Sequence, residues 1–463
     1  MSERRFAGWV GSASMATAFI ALVCLSSARV VWAAETAEPQ EQTARQAPQF
    51  LRVVADEGRS VALEIASVDF VPGDGAGPAV SLVGVVHIGD QSYYRAVQDL
   101  LQVYDVVLYE SVKPAGTGGA AGRTEQQRID GTRAALGFVG RTIASYHARQ
   151  GRYPAHLEEL RAFAKSVDPR LLQFLDEAMT DGWGRPLVYE CSAEDVATGP
   201  EAPDDAAAGE PVYVLLSWGA DGRPGGEGAA ADLLLDDPAG VEPLTAFEED
   251  GLQAQLANAL DLEFQLDALD YGGENWRCSD MSIDQLQREM EKRGLDFSLV
   301  EDTLAGSSLP AQLVKLLLGV IRMADAFFEG AVSDTIKVLL IEMLSDESVL
   351  EIGFSQFDEG FAEVIIDERN RIVIDDLNEL IERETSIGSV AILYGAGHMP
   401  DMARRLGEQL GYEPDGVRWL RAIEVDLTES AVSETDVKRL RLLVRRMLRQ
   451  MNRLNNAGSG GTD

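Results

Sequence analysis

Residues 82–110 read LVGVVHIGDQSYYRAVQDLLQVYDVVLYE, and this stretch decides the fold. The apolar run 80–86 predicts a buried strand that ends in Gly84-Val85-Val86-His87. Ser92 is a candidate helix cap, and Tyr93, Val97, Leu100, Leu101 and Tyr104 then recur at helical spacing. A second apolar run, 106–109, leads directly into Glu110. Strand, helix, strand is a βαβ unit, with parallel strands and a right-handed crossover. On this reading the two strands are adjacent and His87 and Glu110 lie at their C-terminal ends, where open α/β sheets bind ligands.

The same pattern returns far down the chain. Residues 389–394 form an apolar strand, followed by Gly395-Ala396-Gly397-His398 and a predicted helix over 400–410. The chain has four histidines, and two of them close a strand–G-x-x-H–helix pattern, which points to one shared site. Between the two motifs lies Val364-Ile365-Ile366-Asp367-Glu368-Arg369-Asn370, followed by a helix-like stretch over 371–383.

The paired G-x-x-H motifs and the acidic-Arg-Asn segment between them resemble the TraB/TIKI/GumN families, within the wider erythromycin-esterase/ChaN-like clan. The resemblance covers roughly 50–125 and 240–425 and rests on order and context, because each motif is short. It implies an α/β core and, by similarity to TIKI, a metal-dependent peptidase.

A formal net charge of −36, from 76 Asp and Glu against 40 Lys and Arg, argues against nucleic acid or an anionic membrane surface as partner. The plain physical reading is a solvated, self-repelling surface, which also raises the local cation concentration. Of the three cysteines, Cys24 lies in the N-terminal apolar segment. Cys191 and Cys278 are expected as separate buried or free thiols, with a disulfide as the alternative. The sequence has no C-x-x-C, which disfavours thiolate-held zinc.

Residues 1–34 read as a secretory signal, with Arg4 and Arg5 ahead of an apolar core over 13–23 and Val31-Trp32-Ala33 as a small-residue cleavage site. An uncleaved anchor is the alternative. Residues 35–49 are a polar linker, and strands are expected over 51–55, 61–68 and 80–86.

After Glu110 the composition shifts. A Gly/Ala-rich junction over 114–123 precedes a helical stretch over 130–149, and Pro154 suits a helix start. Three motifs follow in order: Gly151-Arg152-Tyr153-Pro154, Asp181-Gly182-Trp183-Gly184-Arg185-Pro186, and the glycine-rich run from Ser217 through Asp221 to Asp232. In this order they resemble the soluble part of type II secretion major pseudopilins. The resemblance implies calcium in the last loop, held by Asp221 and Asp232 with Ser217 and backbone carbonyls completing the shell. Calcium takes six to eight oxygens from a flexible loop, which this composition can supply. A pseudopilin opens with a long apolar assembly helix, and nothing of that kind precedes Asp130. An inserted binding or spacer domain is therefore expected, not a pilus subunit.

Further helices are predicted over 248–270, 282–293, 309–328, 333–344 and 433–454, with Ser282 and Gln285 forming a capping box. The last of these is basic and is expected to dock on the acidic body, with docking on a partner as the alternative.

The combined expectation is an α/β TraB/TIKI-like core interrupted by an α+β pseudopilin-like insert. The boundaries are signal 1–34, linker 35–49, core 50–125, insert 126–238, core 239–428 and basic tail 429–463. His87, Glu110 and His398 are the candidate ligands or acid/base groups for a divalent manganese, cobalt or zinc ion. Arg369 is a candidate for holding a substrate carboxylate or a developing oxyanion. Glu368 either acts as a base or pairs with Arg369 at a helix start. The function expected is an exported metal-dependent hydrolase acting on a peptide or small molecule, periplasmic or extracellular. The alternatives are a non-catalytic peptide- or haem-binding protein using the same cleft, and a secretion-system accessory protein.

Overall fold

A computed structural model describes residues 48–56, 58–117, 124–191, 213–244, 262–297, 332–344 and 360–458. The expected signal segment and the helix at 309–328 lie outside the described residues, as does most of the helix expected at 248–270.

The protein is mixed α/β. The strands of the core are β1 (Leu51–Asp56), β2 (Ser60–Pro72) and β3 (Ala79–Val85), then a short β4 (Ile88–Gly89), helix α1 (Gln91–Leu101) and β5 (Val106–Tyr109). The main sheet runs β1-β2-β3, then β11 (Ser389–Gly395), β5 and β10 (Trp276–Cys278). Strands β3, β11, β5 and β10 are mutually parallel. The long strand β2 turns antiparallel to β3, and β12 (Tyr412–Asp426) covers its outer edge. One expectation is corrected here: β3 and β5 are parallel but not adjacent, because β11 is hydrogen-bonded between them. Val390–Tyr394 are fully buried, as befits a strand with sheet on both sides and helices on both faces.

Alternating side chains divide the sheet between two cores. Val80, Leu82, Val106, Leu108, Val390 and Ile392 pack under α8 (Arg369–Arg383) and α9 (Met399–Leu410). Val83, Val85, Val107, Tyr109, Ala391 and Leu393 face the other way, towards α1 and the helices of residues 125–178. Helix α1 starts at Gln91 rather than being capped by Ser92. Asp90 occupies the cap position, but its carboxylate accepts from Glu424 N at 2.8 Å and from Lys337 at 3.3 Å, which ties the helix start to β12 and α7 (Val332–Leu344).

The segment after residue 124 forms α2 (Glu125–Gln150), α3 (Glu158–Val167), α4 (Pro169–Ala178) and an antiparallel sheet of β6 (Val188–Cys191), β7 (Tyr213–Ser217) and β8 (Leu233–Leu234). Thr124 and Gln127 make a capping box at the start of α2, upstream of the helix start read from the sequence. Pro154 precedes α3 by a turn instead of opening it. This segment is not a loosely tethered spacer, because its hydrophobic residues share one core with the main sheet. At the edge of β10 the Gln173 amide replaces a neighbouring strand. Its nitrogen donates to Trp276 O at 2.8 Å and its oxygen accepts from Cys278 N at 2.8 Å. Gln173→Ala would leave both backbone groups unpaired at a part-buried edge. It is expected to lower unfolding stability by about 1–3 kcal/mol, read by urea denaturation.

The tail helix α10 (Glu434–Gly458) docks on the body as expected. Val437, Leu440 and Val444 are buried, and Arg441 forks onto Glu342 of α7 at 2.6–2.8 Å. Cys191 and Cys278 are not joined in a disulfide, and the Cys278 thiol donates to Ser111 O at 3.1 Å. Among the described residues no helix is long and apolar enough to cross a membrane.

Candidate functional site

The four parallel strands deliver one side chain each to the same end of the sheet. His87 follows β3 by two residues, Glu110 follows β5 by one, Asp280 follows β10 by two, and His398 lies in the tight turn after β11. The fifth member, Arg369, opens α8, where a π-helical turn (Glu363–Glu368) runs into the α-helix. All five are buried, at 2 % exposure or less, which is where unpaired charge is least tolerable.

Arg369 lies between two carboxylates. Its Nη2 donates to Glu110 Oε1 at 2.7 Å and to Asp280 Oδ2 at 2.7 Å, and its Nε donates to Asp280 Oδ1 at 2.8 Å. Its Nη1 is buried without a hydrogen-bond partner among the described residues. Glu110 Oε2 accepts from Gly395 N at 2.8 Å. Burial would raise the Glu110 pKa, but Arg369 and the neighbouring imidazoles outweigh it and hold the group at about 2. Arg369 is held well above its ordinary value, since the two carboxylates outweigh its own desolvation.

The tautomer of His398 follows from its partners. Asn370 Nδ2 donates to His398 O at 3.2 Å and to Asp401 Oδ2 at 3.0 Å, which fixes the amide orientation. Asn370 Oδ1 is therefore the acceptor facing His398 Nδ1 at 2.7 Å, and the ring proton sits on Nδ1. His398 Nε2 is left as a bare lone pair, buried and 3.8 Å from Glu110 Oε1. Burial pulls the His398 pKa down to about 4, so the ring is neutral at pH 7. His87 is lowered as well, chiefly by burial, and its Nε2 is also buried without a partner among the described residues.

Gly395 marks where these groups meet. A β-carbon there would lie 3.4 Å from Glu110 Oε2, 3.7 Å from His87 Nε2 and 3.7 Å from the His398 ring. His87, Glu110 and His398 thus converge as the motifs predict, and Arg369 joins them. Glu368 does not. It binds Arg293 at 2.6 Å and Arg371 at 3.0 Å on the outer side of the helix, so neither of its expected roles, base or partner of Arg369, fits this placement. Asp280 and the orienting role of Asn370 were not read from the sequence. The one signal near Asp280 is its place two residues before the Ser282 capping box, just ahead of a helix start. Among the described residues no group of three or more His, Cys, Asp or Glu side chains already stands in an arrangement that holds a metal ion.

The glycine-rich loop has its own pattern. Ser217 is buried, and its hydroxyl donates to Asp181 Oδ2 at 2.7 Å while accepting from Gly219 N at 3.2 Å, so it ties the Asp181–Pro186 turn to the start of the loop. Asp181 Oδ1 also accepts from Trp183 N and Arg185 N, both at 2.9 Å. Arg185 donates to the carbonyls of Gly219 and Ala220 at 2.9 and 2.8 Å, so a guanidinium holds two backbone carbonyls at the start of the loop. Asp221 accepts from Arg223 N at 3.0 Å, and Asp232 accepts from Gly225 N at 3.0 and 2.9 Å.

Residues 120–236 match the family model of the type II secretion system (T2SS), protein G. That segment is similar to the pseudopilin family over its whole motif series. No curated protein and no solved structure matches the chain.

Proposed function

We propose that the core is a metal-dependent hydrolase of the TraB/TIKI kind, peptidase-like, in which His87, His398 and Glu110 hold a divalent manganese, cobalt or zinc ion. One observation carries this reading: a tautomer-fixed lone pair on His398 Nε2 faces a carboxylate oxygen 3.8 Å away in a buried site. Two electron-rich atoms so placed favour a cation between them, and two metal–ligand bonds of about 2 Å span such a gap. The donor set also fits, because both imidazoles are neutral and the cluster of Glu110, Asp280 and Arg369 holds one carboxylate more than it holds cations. A bound ion would polarise a carbonyl and acidify its water. Asn370 fixes the His398 ring, and Arg369 Nη1 is free to donate to a substrate carboxylate or oxyanion.

Metal analysis after loading with cobalt(II) tests the reading. Wild type is expected to take up one ion per chain, and His87→Ala and His398→Ala are expected to lose it. Gly395→Ala is the sharper test. Its backbone (φ −49°, ψ 137°) suits alanine and the new methyl meets only ordinary contacts, so folding should be preserved while uptake falls at least tenfold. Uptake retained in both histidine variants rejects the site.

The match at 120–236 supports a second reading, in which the chain is exported and works beside a secretion system. The signal proposed at 1–34 rests on the sequence pattern alone. Asp221 and Asp232 are then the calcium candidates, and Ser217 has a structural role. Calcium is expected to raise the melting temperature of wild type but not of Asp232→Ala, and pull-down with secretion components should depend on 126–238.

A further inference from the structure

The role of the pseudopilin-like segment inside the core can be read from a chain of contacts that ends at His87. Strand β4, directly after His87, pairs antiparallel with β9 (Glu263–Phe264). The next residue, Gln265, continues this pairing, its N–H donating to His87 O at 3.0 Å. The main chain of His87 is therefore set by where Gln265 lies.

Gln265 is itself buried, and its side-chain nitrogen donates to the Tyr271 hydroxyl at 3.1 Å. The Tyr271 ring is wedged against Tyr109 and Trp276, with centroids 5.0 and 5.3 Å away. Over it, 5.4 Å from the centroid, lies the guanidinium of Arg170, which belongs to α4 of the pseudopilin-like segment. Asp168 forks onto that guanidinium through both oxygens, at 2.7–3.1 Å, and also caps α4 through Arg170 N at 2.8 Å. A guanidinium held in this way is a fixed wall, not a mobile surface charge.

We propose that Arg170 is a positioning residue for His87, acting through Tyr271 and Gln265, so that the pseudopilin-like segment completes the core site. The proposal rests on reading His87 as a member of the functional cluster. It gives the insertion a physical purpose, because displacement of α4 by a partner would release Tyr271 and shift His87 while leaving His398 on Asn370. The two imidazoles would then respond differently to one event at the insert.

The test uses the full chain with Arg170→Met, which keeps the aliphatic stem, and Tyr271→Phe, which keeps the ring and removes only the hydroxyl. Imidazole nitrogen and carbon-bound proton NMR shifts of His87 and His398 are recorded in metal-free protein. The expected result is a clear shift of the His87 signals in both variants with His398 unchanged, and cobalt(II) affinity reduced about tenfold. A loss of fold in Arg170→Met leaves Tyr271→Phe to decide. Unchanged His87 signals in a folded variant overturn the proposal, as does an equal shift at both histidines. If wild type binds no cobalt, the metal reading fails on its own, and the His87 shifts still decide the role of Arg170.

Discussion

Arg369→Met is expected to lower the stability of the protein by about 3–5 kcal/mol, enough to unfold a chain of ordinary marginal stability. The size follows from what is left behind. Glu110 and Asp280 are both buried, and Arg369 supplies donors to each at 2.7–2.8 Å. Removing the guanidinium strands two carboxylates in a low-dielectric interior, and at least one must then take a proton. Arg369→Lys is expected to recover only part of the loss, because an ammonium cannot reproduce the fork that holds Asp280 through Nε and Nη2 together. Chemical denaturation at pH 7 and again at pH 5 separates the two contributions. The deficit of the Met variant should shrink at the lower pH, where protonating a stranded carboxylate is less costly. A deficit below 1 kcal/mol at both pH values would mean that the two carboxylates do not depend on Arg369.

Acid should weaken the fold in two stages. Burial lowers the His398 pKa from 6.5 to about 4, so between those values the unfolded chain binds a proton that the folded chain refuses. The stability held above pH 6.5 is therefore lost as pH falls towards 4, in total by about 3 kcal/mol for this one ring. His87, also lowered, adds loss of the same sign. Glu110, lowered from 4.5 to about 2 against the opposing effect of burial, keeps its contribution above pH 4.5 and loses it as pH drops towards 2. Urea unfolding between pH 7.5 and 4.5 should show the first stage, and His398→Asn should flatten it. A flat wild-type profile across that range would contradict a buried, neutral His398.

Much of the site was legible because its residues follow from local pattern. His87 and His398 each follow an apolar strand and precede a helix, and Glu110 directly follows an apolar strand. What was not legible depends on rotation and on distance in the chain. Glu368 and Arg369 are neighbours in sequence, but consecutive helical residues point about 100° apart, so one faces the site and the other faces Arg293. Asp280 follows a strand of three residues, too short to show alternation. The insertion of β11 between β3 and β5 is a matter of tertiary pairing, and the local pattern of either strand is the same with or without a neighbour between them. In the pseudopilin-like segment the motifs were read correctly as a series. The hydrogen bond from Ser217 to Asp181 was not, because the two residues lie 36 positions apart in the chain.

The central place of β11 has a consequence for how the molecule is made. During synthesis the ribosome releases β3 and β5 long before residue 389, and until then the two strands lack the neighbour that joins them. The nascent chain must carry two open, apolar strand edges through most of its translation, a state prone to mispairing and aggregation. Closure of the sheet and arrival of the second imidazole are then a single late event. Truncated products ending before β11 should be insoluble, not merely inactive.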